Sequence, residues 1–134
     1  MALTEPRRLH NQQMLIAFLT LLAATDARPV LYGKWEGPSI CTPVRPACHD
    51  EHAVYHLAAS DKPDTIAMTM NKVVNGKEEE MGTLEFHVDA AARTLTSEYR
   101  GVMWTFNRTG DRMRGTAKQL PNGEVIRNIR LEKR

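Results

Sequence analysis

His49, Asp50, Glu51, His52 and His56 are the densest group of titratable side chains in this sequence. Imidazoles beside carboxylates are ligands for zinc and other divalent transition metals, so metal binding is the first chemistry to weigh, with His49, Asp50 and His52 as the candidate ligands. Spacing works against it. Val54 and Tyr55 favour a strand, and on a strand His52 and His56 stand about 13 Å apart along one face. They could share an ion only if the piece were helical. The plain alternative is a solvated loop entering a strand, in which Asp50 or Glu51 accepts backbone N–H groups. The expectation is therefore no metal and no cofactor.

The second group is the cysteine pair. Cys41 and Cys48 enclose six residues, two of them proline (Pro43 and Pro46). Proline restricts the open chain and eases closure of the loop. A bridge between them is expected in an oxidising compartment, worth about 2–3 kcal/mol by loop entropy. A zinc site needs four ligands at other spacings, and the Cys-x-x-Cys of redox pairs is absent.

Other chemistries lack their parts. No Gly-x-Ser-x-Gly and no phosphate loop occurs. Glu78-Glu79-Glu80 beside Asn75-Gly76 reads as the solvated start of a strand. An enzyme would have to be built at a cleft that brings titratable groups together, and the sequence points to none. The net charge of +2 is unchanged when residues 1–27 are removed, since Arg7 and Arg8 offset Glu5 and Asp26. So weak a balance excludes an electrostatic case for nucleic acid, and Arg100, Arg108, Arg112, Arg114 and Lys118 read as solvated strand faces. Asn107-Arg108-Thr109 fits a glycosylation sequon, which matters only in a eukaryotic secretory route.

The elements that must position these residues follow a leader. Arg7, Arg8 and His10 precede an apolar run from Met14 to Ala24, which is too short for a bilayer span of about 20 residues. Thr25-Asp26-Ala27 offers a cut before Arg28, and a cut after Ala24 fits nearly as well. Residues 1–27 are read as a cleavable signal helix and 28–134 as one domain, secreted or periplasmic, with no stable membrane anchor. With 42% hydrophobic and 25% charged residues, the chain has the composition of an ordinary globular domain.

After the leader, strand and turn signals alternate about every ten residues. The first strand is expected from Val30 to about Ile40, bent at Gly37-Pro38. Ile66, Met68 and Met70 share a face by period two. Asn75-Gly76 is a strong hairpin signal, because both central residues of a type I′ turn need positive φ. Leu84, Phe86 and Val88 share the next face, then Val102, Trp104 and Phe106, then Met113, Gly115 and Ala117, then Val125, Arg127, Ile129 and Leu131. Gly101 is expected to open the strand that carries Trp104. About eight consecutive antiparallel strands joined by short turns are best accommodated by closing the sheet on itself, which removes its edges. The fold class is thus all-β, an up-and-down barrel.

Gly33-Lys34-Trp35 at the start of the first strand, the meander behind it, and an arginine on the last strand, Arg127 or Arg130, together resemble the lipocalin-like (calycin) group of small β-barrels. That resemblance implies that Gly33 and Trp35 belong to the closed end, with Arg127 or Arg130 stacked over the tryptophan at about 0.5–2 kcal/mol. The chain departs from the family in being short and in having no C-terminal helix. Metalloprotease inhibitors and avidins share the same start and barrel plan, so fold likeness does not choose a function.

Two readings of the interior remain open. It is filled by its own side chains, or it holds a small apolar pocket with Gly115 and Ala117 leaving room. The leading expectation is a non-enzymatic binder of a small apolar or amphipathic molecule, with Met68, Met70, Phe86, Trp104, Phe106 and Arg127 as candidate ligand contacts. Arg127 would either cap Trp35 or meet a ligand carboxylate. The alternative is a protein-binding module such as a protease inhibitor, presenting Pro43, Val44, Arg45 and Pro46 from the bridged loop.

Overall fold

The computed structural model describes residues 25–134, so the expected signal helix and its apolar run lie outside the described residues. From there the chain forms a 3₁₀ turn, Arg28–Leu31, and eight strands: β1 Gly33–Cys41, β2 Glu51–Ala59, β3 Thr65–Val74, β4 Lys77–Val88, β5 Thr94–Tyr99, β6 Val102–Thr109, β7 Arg112–Gln119 and β8 Glu124–Lys133. Each is antiparallel to the next, and β8 returns to β1, closing the barrel. The first strand begins later than its composition suggests. Pro29 falls in the first turn of the 3₁₀ segment, where a missing N–H costs nothing, and Leu31 is driven fully under the barrel floor.

Local chemistry sets the turns. Asn75 (φ 51°) and Gly76 (φ 75°) make the two-residue link from β3 to β4. Arg100 (φ 48°) and Gly101 (φ 75°) make the same kind of link from β5 to β6. Gly101 is therefore part of the turn and not the first residue of the strand.

Two register shifts break the period-two pattern. Between β3 and β4, Met70 pairs with Gly82 but Asn71 pairs with Glu80, leaving Met81 unpaired. Between β7 and β8, Ala117 pairs with Arg127 but Lys118 pairs with Val125, leaving Ile126 over. The second bulge puts Val125 in the outward row of Lys118, and so overturns its expected inward place. Ile126 is nearly buried, beneath Arg45, Ala47 and Cys48 of the bridged loop.

The up-and-down course gives the barrel two unlike ends. The 3₁₀ turn, the links β2–β3, β4–β5 and β6–β7, and the C-terminus gather at one end; the links β3–β4, β5–β6 and β7–β8 and the bridged loop gather at the other. The first end is packed solid. Leu31, Trp35, Ile66, Met68, Phe86, Leu95, Phe106, Met113, Ile129 and Leu131 are all buried in one cluster. Phe106 meets Tyr55 and Phe86 edge-on, with ring centroids 6.2 and 5.7 Å apart. Gly115 makes room for the Phe106 ring, which a Cβ there would overlap. The space left by Gly115 inside the barrel is thus filled by protein and is not available to an interior pocket.

Candidate functional site

At the other end the barrel is not filled. A cavity of about 270 Å3 opens there, walled by Tyr55, Met70, Met81, Leu84, Tyr99 and Trp104, with Gly82 and Thr83 beside them and Glu51 and Arg127 as its charged groups. Met70 and Trp104 reach it from alternating inward positions on β3 and β6. Met81 reaches it because of the β4 bulge, and Tyr99 because β5 ends at the rim. Met81 and Tyr99 are 46% and 47% exposed, and Arg100 lies 5.2 Å from the Tyr99 ring centroid. Larger depressions lie elsewhere on the surface, one of about 490 Å3 on the outer wall over Ile40, Arg114 and Arg130. The mouth cavity pairs apolar walls with converging polar groups, Glu51 and Arg127, that are themselves largely buried, as ligand sites do.

The polar side of this cup is a connected network. Arg127 Nη1 donates to Ser39 Oγ at 3.0 Å and to the Ser39 carbonyl at 3.4 Å. Its Nη2 donates to the His49 carbonyl at 2.8 Å and to Glu51 Oε1 at 3.4 Å. The Arg127 and Glu51 side chains are only 15% and 16% exposed, and Ser39 is fully buried. Burial, and after it the Glu51 carboxylate, push the Tyr55 phenol well above its ordinary value, with Arg127 and the Ser39 hydroxyl opposing. Tyr55 is thereby held in its neutral form.

The expected barrel-closing contact falls on a different residue. The cation over Trp35 is Lys133, with Nζ 5.8 Å from the ring centroid and donating to the Val30 carbonyl at 2.8 Å. Strand register explains this: Trp35 lies opposite Lys133, whereas Arg127 lies opposite Cys41 near the far end. Arg130 pairs with Arg114 in the outward row. Gly33 opens β1, and Lys133 is also its nearest side chain. Of the expected ligand contacts, Met70, Trp104 and Arg127 line the cup, while Met68, Phe86 and Phe106 sit in the packed core beneath it.

The histidine–carboxylate group disperses. The His49 carbonyl serves Arg127, and Asp50 Oδ1 accepts the Cys41 N–H at 2.8 Å. His52 Nε2 lies 3.3 Å from Glu36, and His56 Nε2 lies 2.6 Å from Glu78 Oε1. Those histidine contacts come first among the causes that lower the Glu36 and Glu78 carboxyls below their usual range. Among the described residues, no three histidine, cysteine or carboxylate side chains converge on one point.

The bridge between Cys41 and Cys48 is formed, with Cα atoms 6.0 Å apart. It ties the end of β1 to the approach of β2 and holds His49 over Arg127. Pro43, Val44, Arg45 and Pro46 are exposed, and Arg45 Nε donates to Gln119 Oε1 at 3.0 Å. Replacing both cysteines with serine is expected to lower the unfolding free energy by about 2–3 kcal/mol, read as a shift of the urea midpoint. An unchanged midpoint would show that the loop is already ordered by its contacts with β8.

Glu51, Tyr55, Met81, Leu84 and Tyr99 were not expected at the site. Leu84 and Tyr55 carried a usable signal, since both fall on the inward face of their strands by alternation. Met81 carried none, because a bulge is invisible to alternation. The fold and site together define a class: a closed eight-stranded up-and-down barrel, filled at one end and cupped at the other. Comparison with known proteins finds no matching family model, curated protein or solved structure.

Proposed function

We propose that this chain is an exported carrier or sensor of a small apolar or amphipathic molecule, held in the cup without covalent chemistry. The observation that carries the reading is the division of the barrel interior. The filled end is packed shut, and the unfilled mouth has methionine and aromatic walls with Arg127 and Glu51 at its polar side. Methionine side chains adapt to irregular apolar shapes, which suits such a site. A cavity of about 270 Å3 is near the lower limit of ligand pockets and favours a compact molecule or a short chain. The protease-inhibitor alternative draws less support, because the exposed Arg45 side chain is tied to Gln119 Oε1.

Export is part of the proposal. A formed disulfide is compatible with an oxidising compartment, and no helix among the described residues is long and apolar enough to cross a membrane. Asp26 and Ala27 belong with the barrel. Asp26 pairs with Arg28 at 2.9 Å, the Ala27 carbonyl accepts the Val30 N–H, and Ala27 packs on the core. These contacts favour a cut after Ala24 over one after Ala27. Native mass spectrometry of the protein recovered from the cytoplasmic and the periplasmic or secreted fractions of its host tests both parts. The expected species begins at Thr25, carries the oxidised Cys41–Cys48 pair and retains a small bound mass. Protein that is consistently bare would overturn the binding reading, and an intact leader would overturn export.

A further inference from the structure

The polar side of the cup is charge-balanced before any ligand arrives. Arg127 and Glu51 are 3.4 Å apart, both largely buried, and both border the cavity. Arg127 also spends donors on Ser39 and on the His49 carbonyl, so its Nη1 and Nη2 groups are committed. Its Nε makes no hydrogen bond among the described residues, and Glu51 makes only the contact through Oε1. A guanidinium offers donors only and a carboxylate accepts only. A ligand group that both accepts and donates, with no charge of its own, complements such a pair. A carboxylate would meet Arg127 but be forced against Glu51, and an ammonium would meet the reverse conflict. Like charges brought together at a desolvated site are strongly disfavoured.

We infer that the cup selects an uncharged amphiphile, an alcohol or amide on a short apolar chain, over the carboxylate of the same chain, because Glu51 has already taken the charge of Arg127. The inference rests on the proposed ligand-binding function of the same cavity. It also replaces the expectation that Arg127 either caps Trp35 or receives a ligand carboxylate: Glu51 is the carboxylate it receives.

The test uses residues 25–134, oxidised, at pH 8, with the neutral dye N-phenyl-1-naphthylamine as the bound probe and 1-octanol, octanamide and octanoate as competitors. An ionised acid prefers water whatever the site does, so the ratio of octanoate to octanol affinity is compared between the wild-type chain and Glu51→Gln, where that preference cancels. The substituted side-chain amide keeps an oxygen for Arg127 but removes the balancing charge. The ratio is expected to move at least tenfold toward octanoate in Glu51→Gln, with octanamide tracking octanol in both proteins. An unchanged ratio, or octanoate already binding as well as octanol to the wild-type chain, would sink the inference while leaving ligand binding intact. Failure of the dye and all three competitors to bind the wild-type chain would remove the binding function itself, and the inference with it. Should Glu51→Gln not fold, Glu51→Ala is measured in its place: the same tenfold move toward octanoate is expected, and a flat ratio there counts equally against the inference.

Discussion

Trp35→Ala loses about 4 kcal/mol of unfolding free energy, the expected cost of truncating a large aromatic side chain in a core. Trp35 has no exposed surface, and its Nε1 donates to the Leu31 carbonyl at 2.8 Å. Truncation leaves a cavity at the filled end and strips the carbonyl of its partner. It also removes the surface on which Lys133 rests. Urea unfolding at 25 °C measures the loss, and a cost below about 1 kcal/mol would mean that the 3₁₀ turn seals the end without the ring. Trp35→Phe separates the contributions: most of the apolar area stays, the hydrogen bond goes, and the cost should fall to about 1–2 kcal/mol. Because the cup lies at the other end, dye binding per folded molecule should survive Trp35→Ala. Loss of binding without loss of stability would place Trp35 in the site.

Gly37→Ala comes second, through the barrel seam. A Cβ at Gly37 would overlap the Arg130 carbonyl oxygen and lie 3.0 Å from the Arg130 carbonyl carbon and 3.4 Å from the Leu131 Cα. All three are backbone atoms and cannot rotate aside. Ladder pairing of β1 with β8 is already interrupted here, with Glu36 opposite Glu132 and the next pairs resuming at Ser39 and Ile129. A methyl group would have to part the two strands. Overpacking a core with side-chain neighbours costs about 1–3 kcal/mol, and a backbone neighbour places this case at about 3 kcal/mol or above. A parted seam also uncovers two sheet edges, which pair readily with other chains. The expected result is a thermal midpoint lowered by more than about 10 °C and higher oligomers on size exclusion. A monomeric Gly37→Ala protein of wild-type stability would show that β1 and β8 have room to shift.

The number and order of strands were legible because barrel strands bury one face each and the alternation is local. Ile66-Ala67-Met68-Thr69-Met70 states its inward face by period two, and that face is buried as written. Asn75-Gly76 states its turn through backbone sterics alone. The cysteine spacing implied the bridge, since a short proline-containing loop keeps its ends close. Two bulges escaped because an extra residue is a property of a strand pair. Met81 and Ile126 are ordinary until their partners' register is known.

The same distinction governs the site. Residue types along the chain determined that this would be an antiparallel barrel with a bridged loop and an apolar interior, because periodicity, turn conformations and loop closure act over a few residues. They could not determine how far up the barrel that interior is filled. Met68 and Met70 are two residues apart on one face, yet Met68 is sealed in the core and Met70 walls the cup. Nor could they assign Arg127. Its charge is met by Glu51 and by the carbonyls of Ser39 and His49, groups 76 to 88 residues away in the chain. Height along a tilted strand and the partners of a long side chain depend on register and closure around the whole barrel, and those exist only when all eight strands are in place.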